Sequence, residues 1–400
     1  MMRELDLFPY DAASLGALCT ELDAWKRRID YQGPLPRRWQ GRLRRDLEAE
    51  AVAASTRMEG VNVTVEEVRR ILAGEIPPDV LAEDADLVQG YREAMQFVLR
   101  QADDAGFTWD RGLIVGLHDR VMGGRFPVAG HLRTERPVSI VNRATGEQVF
   151  IPAEGEEVGG LLDRSCGRME RGHAHPAIAA AWIHVCIAAI HPFGDGNGRS
   201  ARILASLAMY RGGFKRIEFT SLEEWWGRHL IDYYASFDCL GRLFDPESDV
   251  TPFIRAHIEA QLSQVRALDV TFTVQKQIWL AAEGICEEIG LDPRLTNALW
   301  EAFFARPVTA GYYRSLTEVS PATATNDLTA AVAAGLLRAD GQRRGRRYLP
   351  SPRLYERLGE DLLIEIGDPS SARESIISEL TRRGSMTDEA LGSPRAPDGS

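Results

Sequence analysis

Apolar positions recur every three or four residues along most of the chain, the period of an amphipathic helix. Residues 46–58 (DLEAEAVAASTRM) place Leu47, Ala51, Ala54, Ser55 and Met58 on one face, and Gly60 supplies a stop. Thr64 and Glu67 form a capping box for the next helix, with Val63 and Val68 positioned as its hydrophobic staple. That helix is expected to run to about Ala73 and stop at Gly74. The pattern continues over 84–102, 109–122, 155–170, 177–190, 200–210, 221–240 and 251–268. The period changes once, at 137–151 (PVSIVNRATGEQVFI), where β-prone runs 138–141 and 148–151 flank 142–147 and predict a β-hairpin with a longer loop. A separate unit is expected after about residue 270. It has helices over 271–290 and 293–304, then a helix, a turn at Val319-Ser320-Pro321, a helix to Ala334 and two short strands around 340–345. The polar, Pro/Gly/Ser-rich stretch 386–400 reads as a disordered tail.

Composition narrows the class. A chain of 400 residues holds two to four domains of about 100–200 residues each. Apolar residues at 44% and charged residues at 26% exclude global disorder. A net charge of −11 argues against coating nucleic acid along the whole chain, while leaving a local basic patch open. The five cysteines (Cys19, Cys166, Cys186, Cys239, Cys286) are scattered without a CxxC, so neither a disulfide framework nor a zinc knuckle is readable, and a reducing cytoplasm is expected. The N-terminus, MMRELDLFPYD, lacks the apolar core of a signal peptide. The longest nearly apolar run, 177–190, contains His184 and is too short to span a bilayer.

The candidate chemistry lies in residues 191–202, HPFGDGNGRSAR. Pro192 ends the apolar helix just after His191. Gly194, Gly196 and Gly198 permit a tight loop, and a new helix begins near 197–200, whose first N–H groups form an anion site. Arg199 and Arg202, three apart, share a helix face at that positive end, which suits a polyphosphate. Asp195 is a hard carboxylate beside the cradle, suited to Mg²⁺. His191 at the rim is a candidate general base. No Lys-Ser/Thr follows the glycines, so this is no Walker A loop; Ser200 and Ser206 at the sixth and twelfth positions from Asp195 exclude an EF-hand.

This string resembles, without a mismatch, the HxFx(D/E)GNGRxxR signature of Fic-domain proteins. The segments GHLRTERPVSIVN and VFIPAEGEEV resemble the lead-in and exit of that family's flap hairpin, and the likeness covers about residues 50–250. It implies an all-α Fic helical core with a β-hairpin flap over the active site, and transfer of AMP from ATP to a protein hydroxyl. By the same resemblance His191 deprotonates the target hydroxyl and Asp195 holds Mg²⁺. Gly196, Asn197 and Gly198 form the anion hole, Arg199 and Arg202 contact phosphates, and Phe193 anchors the loop. The flap, through Val138, Ile140, Val149 and Ile151, is expected to pair with an extended segment of the target.

Residues 55–60, STRMEG, resemble the family's inhibitory motif (S/T)xxxE(G/N) in its N-terminally inhibited class. A carboxylate at a helix C-terminus is disfavoured by roughly 0.3–1 kcal/mol, so Glu59 benefits from an outside cation. The resemblance names that cation as Arg202, with Ser55 supporting the pair. Removal of AMP, self-modification and homodimer formation stay open under the same likeness. Beyond the core, the helix starting at 320–328 resembles the recognition helix of winged-helix domains. The wing segment 338–347 holds five arginines and one acid, which raises DNA as a partner, though that helix is poor in Arg, Lys and Gln. A DNA-binding regulator is therefore the alternative to an AMP-transferase. The expected organisation is an N-terminal segment 1–45 and a Fic core 46–268 including the inhibitory helix 46–60. A winged-helix domain 269–352, a helical segment 353–385 and the tail 386–400 follow.

Overall fold

The computed structural model describes residues 7–31, 37–72, 74–123, 127–134, 139–141, 146–215, 222–306, 308–342 and 346–391. Two compact units emerge, Met1–Val265 and Arg266–Ser400. Helices dominate both.

In the first unit α1 (Gly16–Tyr31), α2 (Arg37–Met58), α3 (Val65–Leu72), α4 (Ala82–Ala102) and α5 (Arg111–Val121) precede the hairpin strands β1 (Ile140–Val141) and β2 (Gln148–Phe150). Then come α6 (Val158–Arg171), α7 (Pro176–Ile190), α8 (Asn197–Arg211), α9 (Glu223–Arg228) and α10 (Leu230–Ala235). The centre is α7. Its sequence, PAIAAAWIHVCIAAI, is apolar around the whole circumference, and a helix of that kind is stable only when surrounded. α8 packs along it, and α4 and α5 pack on α8. Trp182 is fully buried and donates to the Phe8 carbonyl at 3.0 Å, which ties the N-terminal segment to the core.

Several expectations need correction. The helix carrying Ser55 starts at Arg37, not at 46. Residues 221–240 are not one helix: α9 and α10 break at His229 (φ −122°, ψ 49°), and a 3-10 turn follows over Ser236–Leu240. The two helices expected at 251–268 and 271–290 are one, α11 (Thr251–Glu288), because neither glycine nor proline lies between residues 268 and 271 to stop it. The unit boundary falls inside α11.

The second unit contains α12 (Thr296–Phe303), α13 (Ala310–Thr317), α14 (Pro321–Ala333), strands β3 (Leu337–Asp340) and β4 (Arg347–Pro350), α15 (Pro352–Leu362) and α16 (Ala372–Leu391). Thr309 and Ser320 cap α13 and α14 through the Tyr312 and Thr323 amides. The antiparallel register runs from Leu337↔Pro350 to Asp340↔Arg347, so the strands flank the expected 340–345 window. Trp300, Phe303, Tyr313, Leu328 and Leu358 centre its core. The backbone is helical to Leu391, beyond the expected start of the tail at 386; residues 392–400 lie outside the described residues. No helix among the described residues is long and apolar enough to cross a membrane.

Two buried histidines give a pH prediction. Burial pushes His257 down to about 3 and holds His184 well below its ordinary value of 6.5. Both are neutral in the folded chain, while the unfolded chain protonates them near 6.5. Stability is therefore fully present above pH 6.5 and falls as the pH drops toward 3, by about 1.4 kcal/mol per pH unit for each histidine. Denaturant titrations from pH 7 to 4 should show this slope, and His257→Gln should reduce it by about one such increment.

Candidate active site

α7 ends at His191, which takes a left-handed conformation (φ 52°, ψ 61°) as the chain turns out of the helix. A non-glycine residue pays roughly 1–2 kcal/mol for that conformation, so something must hold it there. Arg133 does. Its guanidinium donates to the His191 carbonyl at 2.6 Å, to the Ile190 carbonyl at 2.8 Å and to the Ala153 carbonyl, and its own amide donates to the Pro192 carbonyl at 2.9 Å. A cation on the exposed carbonyls of a helix C-terminus also complements the helix dipole. The His191 imidazole is partly buried; burial, above all, pushes its pKa down to about 4. At neutral pH the ring is therefore uncharged and one of its nitrogens is an unprotonated acceptor, as a general base requires.

The loop after His191 is closed by its own side chains. Asn197 Oδ1 accepts from the Phe193 amide at 2.9 Å, and its Nδ2 donates to the Phe193 carbonyl at 2.9 Å. Phe193 is fully buried and stacks on His118, ring centroids 3.6 Å apart. The Gly130 amide donates to His118 Nδ1 at 3.0 Å, so Nε2 carries the proton and donates to the Asp195 carbonyl at 2.8 Å. Burial lowers the His118 pKa and keeps that neutral form. Gly196 is left-handed (φ 74°), and a Cβ there would lie 2.7 Å from Met122 Sδ. No side chain caps α8, so the first-turn amides, which no helical carbonyl can reach, face outward as an anion site. The Asn197 side chain itself is spent on the clasp, which leaves its backbone amide as its contribution to that site. Asn197→Ala should cost about 1–3 kcal/mol in denaturant unfolding, because two buried backbone groups lose their partner.

Arg199 and Arg202 are both buried, at 1% and 4% exposure. Arg199 Nη2 lies 3.6 Å from Asp195 Oδ2, while its Nε and Nη1 have no protein acceptor among the described residues. Burial lowers its pKa. Arg202 is fully engaged: Nη2 meets Glu59 Oε1 at 2.8 Å and the Ser55 carbonyl at 3.1 Å, Nε meets Ser55 Oγ at 3.0 Å, and Nη1 reaches the Tyr233 hydroxyl at 3.4 Å. Burial opposes its charge, but Tyr233, Glu59 and Tyr91 outweigh burial and leave its pKa raised. Glu59 therefore enters the loop from the end of α2. Its Oε1 would lie 2.3 Å from a Cβ on Gly198, so the carboxylate rests against the first turn of α8.

Asp195 has an exposed side chain, and its Oδ1 accepts from the Gly196 amide at 2.7 Å. No group of three or more His, Cys, Asp or Glu residues suited to a metal occurs among the described residues. A single carboxylate beside a phosphate cradle still fits Mg²⁺, which keeps waters and takes its other ligands from phosphate oxygens.

In the hairpin, Ile140 pairs with Phe150 and Val141 with Gln148. Phe150 is buried, whereas Val141 and Val149 are exposed. Ile151 departs from the expected docking edge: its amide donates to the Arg242 carbonyl at 2.9 Å and its carbonyl accepts from Phe244 at 2.8 Å, so its main chain is already paired. Val138 lies outside the described residues. Sequence reading missed Arg133, His118, Tyr91, Tyr233 and Glu223. Each acts on the site from a distant stretch of chain, and no local spacing marks it.

The model of the Fic/DOC family matches residues 108–209. The chain is 28% identical over 215 residues to protein adenylyltransferase fic-1 of Caenorhabditis briggsae, covering 52% of this chain and 39% of that protein. It is 29% identical over 217 residues to the Caenorhabditis elegans fic-1 adenylyltransferase, with the same coverage. The chain thus spans about two fifths of the length of these curated relatives. Among solved structures, a Fic family protein from Desulfovibrio desulfuricans G20 superposes with a TM-score of 0.56 at 20% identity, over 86% of this chain and 98% of that one. Fic-1 from C. elegans superposes with a TM-score of 0.52 at 22% identity, over 64% of this chain and 72% of that one. The mostly helical fold is shared with these neighbours.

Proposed function

We propose that this chain is a protein adenylyltransferase restrained by its own Glu59. The observation that carries the reading is the Glu59 carboxylate, seated against Gly198 and paired with Arg202 at 2.8 Å, inside the helix terminus that suits a polyphosphate. Its relatives named protein adenylyltransferases support the same reaction. ATP is the co-substrate. His191 takes the proton of a target Ser, Thr or Tyr hydroxyl, the oxygen attacks the α-phosphorus, and the bond to the β-phosphate oxygen breaks with pyrophosphate leaving. The amides of Asn197 and Gly198 and the guanidiniums of Arg199 and Arg202 hold phosphate charge, Gly196 joining them once its amide leaves Asp195 Oδ1, and positioning with charge stabilisation supplies most of the rate. Asp195 would hold Mg²⁺, which neutralises charge on the phosphates. The exposed hairpin edge at Val141 and Val149 would register an extended target segment.

The second unit, with α13, α14 and the strands β3 and β4 in succession, supports a winged-helix reading, in which the arginine-rich stretch 338–347 of the sequence would meet a partner's phosphates. Free thiols throughout suit a reducing, cytoplasmic setting.

The transfer reading is tested with ATP labelled at the α- or the γ-phosphate. A Glu59→Gly protein, with itself and a cell lysate as acceptors, should incorporate the α-label and not the γ-label. Incorporation of the γ-label alone would mean phosphorylation, and incorporation of neither would remove the proposal.

A further inference from the structure

Arg202 is held by more than the pair with Glu59. On its far side lies a small internal chamber lined by His184, His257, Trp226, Gln261, Glu223 and Arg202 itself, among others. Burial keeps both imidazoles neutral. Glu223 is the only acid among the described residues that line it, and it is 2% exposed. Its Oε1 accepts from the Tyr91 hydroxyl at 2.5 Å, the short separation of a charge-assisted bond. Tyr91 is itself 1% exposed. On the other side of the guanidinium, Ser55 Oγ accepts from Arg202 Nε at 3.0 Å. Arg202 and Glu223 thus face one chamber, with Tyr91 bonded to the carboxylate and Ser55 to the guanidinium. Tyr91 feels both charges: burial and the Glu223 charge push its pKa up, and the Arg202 charge pulls it down.

A buried guanidinium is strongly destabilising without a counter-charge. Glu59 cannot serve permanently if it is a brake, because it must leave for phosphate to enter. We infer that Glu223, facing the same chamber as Arg202 and held there by the Tyr91 hydroxyl, is a second and standing counter-charge that keeps Arg202 buried, charged and oriented when Glu59 withdraws. Glu223 is then a positioning residue that does not touch the reacting atoms. It stands at the start of α9. α9 also lies close against the brake helix: a Cβ on Gly227 would come 3.0 Å from Ala54 Cβ. The inference rests on the reading of Glu59 as a brake.

Its test is a thermal double-mutant cycle on the full chain, with Glu59→Ala, Glu223→Gln and their combination. Either single variant leaves Arg202 one carboxylate. The combination leaves none, so its midpoint should fall by about 4 °C or more beyond the sum of the single losses. Tyr91→Phe, which removes the hydroxyl that holds Glu223 in place and keeps the charge, should couple to Glu59→Ala in the same direction but less. Repeating the cycle with Arg202→Met should abolish the coupling. Additive losses, for Glu223→Gln or for Tyr91→Phe if the former does not fold, would overturn the inference, as would coupling that survives Arg202→Met. No nucleotide enters the cycle, so its failure is separable from failure of the transfer reading.

Discussion

A Glu59→Gly protein is expected to transfer AMP about 10²-fold faster than the unsubstituted chain at saturating Mg²⁺–ATP. On the proposed reading the carboxylate, seated against Gly198, stands where a phosphate would bind, and its partner Arg202 is nearly inaccessible to solvent. Water cannot easily replace either partner of such a pair, so the open form is rare. If about 1% of molecules are open, removing the carboxylate raises the competent fraction by two orders of magnitude. Ser55→Ala should release activity less, because it removes a bond to Arg202 and leaves Glu59 in place. Initial rates of AMP incorporation measure both. Equal rates for Glu59→Gly and the unsubstituted chain would end the brake account.

The second large effect is at His191. In the released background, His191→Ala should reduce transfer by about 10²–10⁴-fold, the usual contribution of a positioned general base. Nucleotide affinity should change little, since the cradle is built from Gly196 to Arg202 and the imidazole is held from α7. Calorimetric ATP binding alongside the rate assay separates the two. Loss of rate with retained affinity identifies a proton acceptor, whereas loss of both would assign His191 to nucleotide binding.

What was readable in the chain was what depends on neighbours. The capping box appears as expected: the Thr64 amide donates to Glu67 at 2.8 Å, and the Glu67 amide to Thr64 at 3.2 Å. The loop residues from His191 to Arg202 lie within one turn-and-helix unit, so spacing alone brought them together. The Glu59–Arg202 pair spans 143 residues, and only the family likeness pointed to it. The rest of the site's support was invisible for a related reason. Arg133 meets His191 across 58 residues, and Tyr91 meets Glu223 across 132. In sequence these are an ordinary arginine, tyrosine and glutamate. The same limit explains the misplaced breaks. Nothing local marks His229 as a helix end, and Ile151 reads as a free strand residue until Arg242 and Phe244 close on it.

The account stands most directly on intact-mass spectrometry of the Glu59→Gly chain after incubation with Mg²⁺–ATP and a lysate, with the Glu59→Gly/His191→Ala chain beside it. The account predicts a gain of one AMP on a Ser, Thr or Tyr of the chain or of a lysate protein in the first sample and none in the second. An equal gain in both samples, or none in either with nucleotide demonstrably bound, would contradict it.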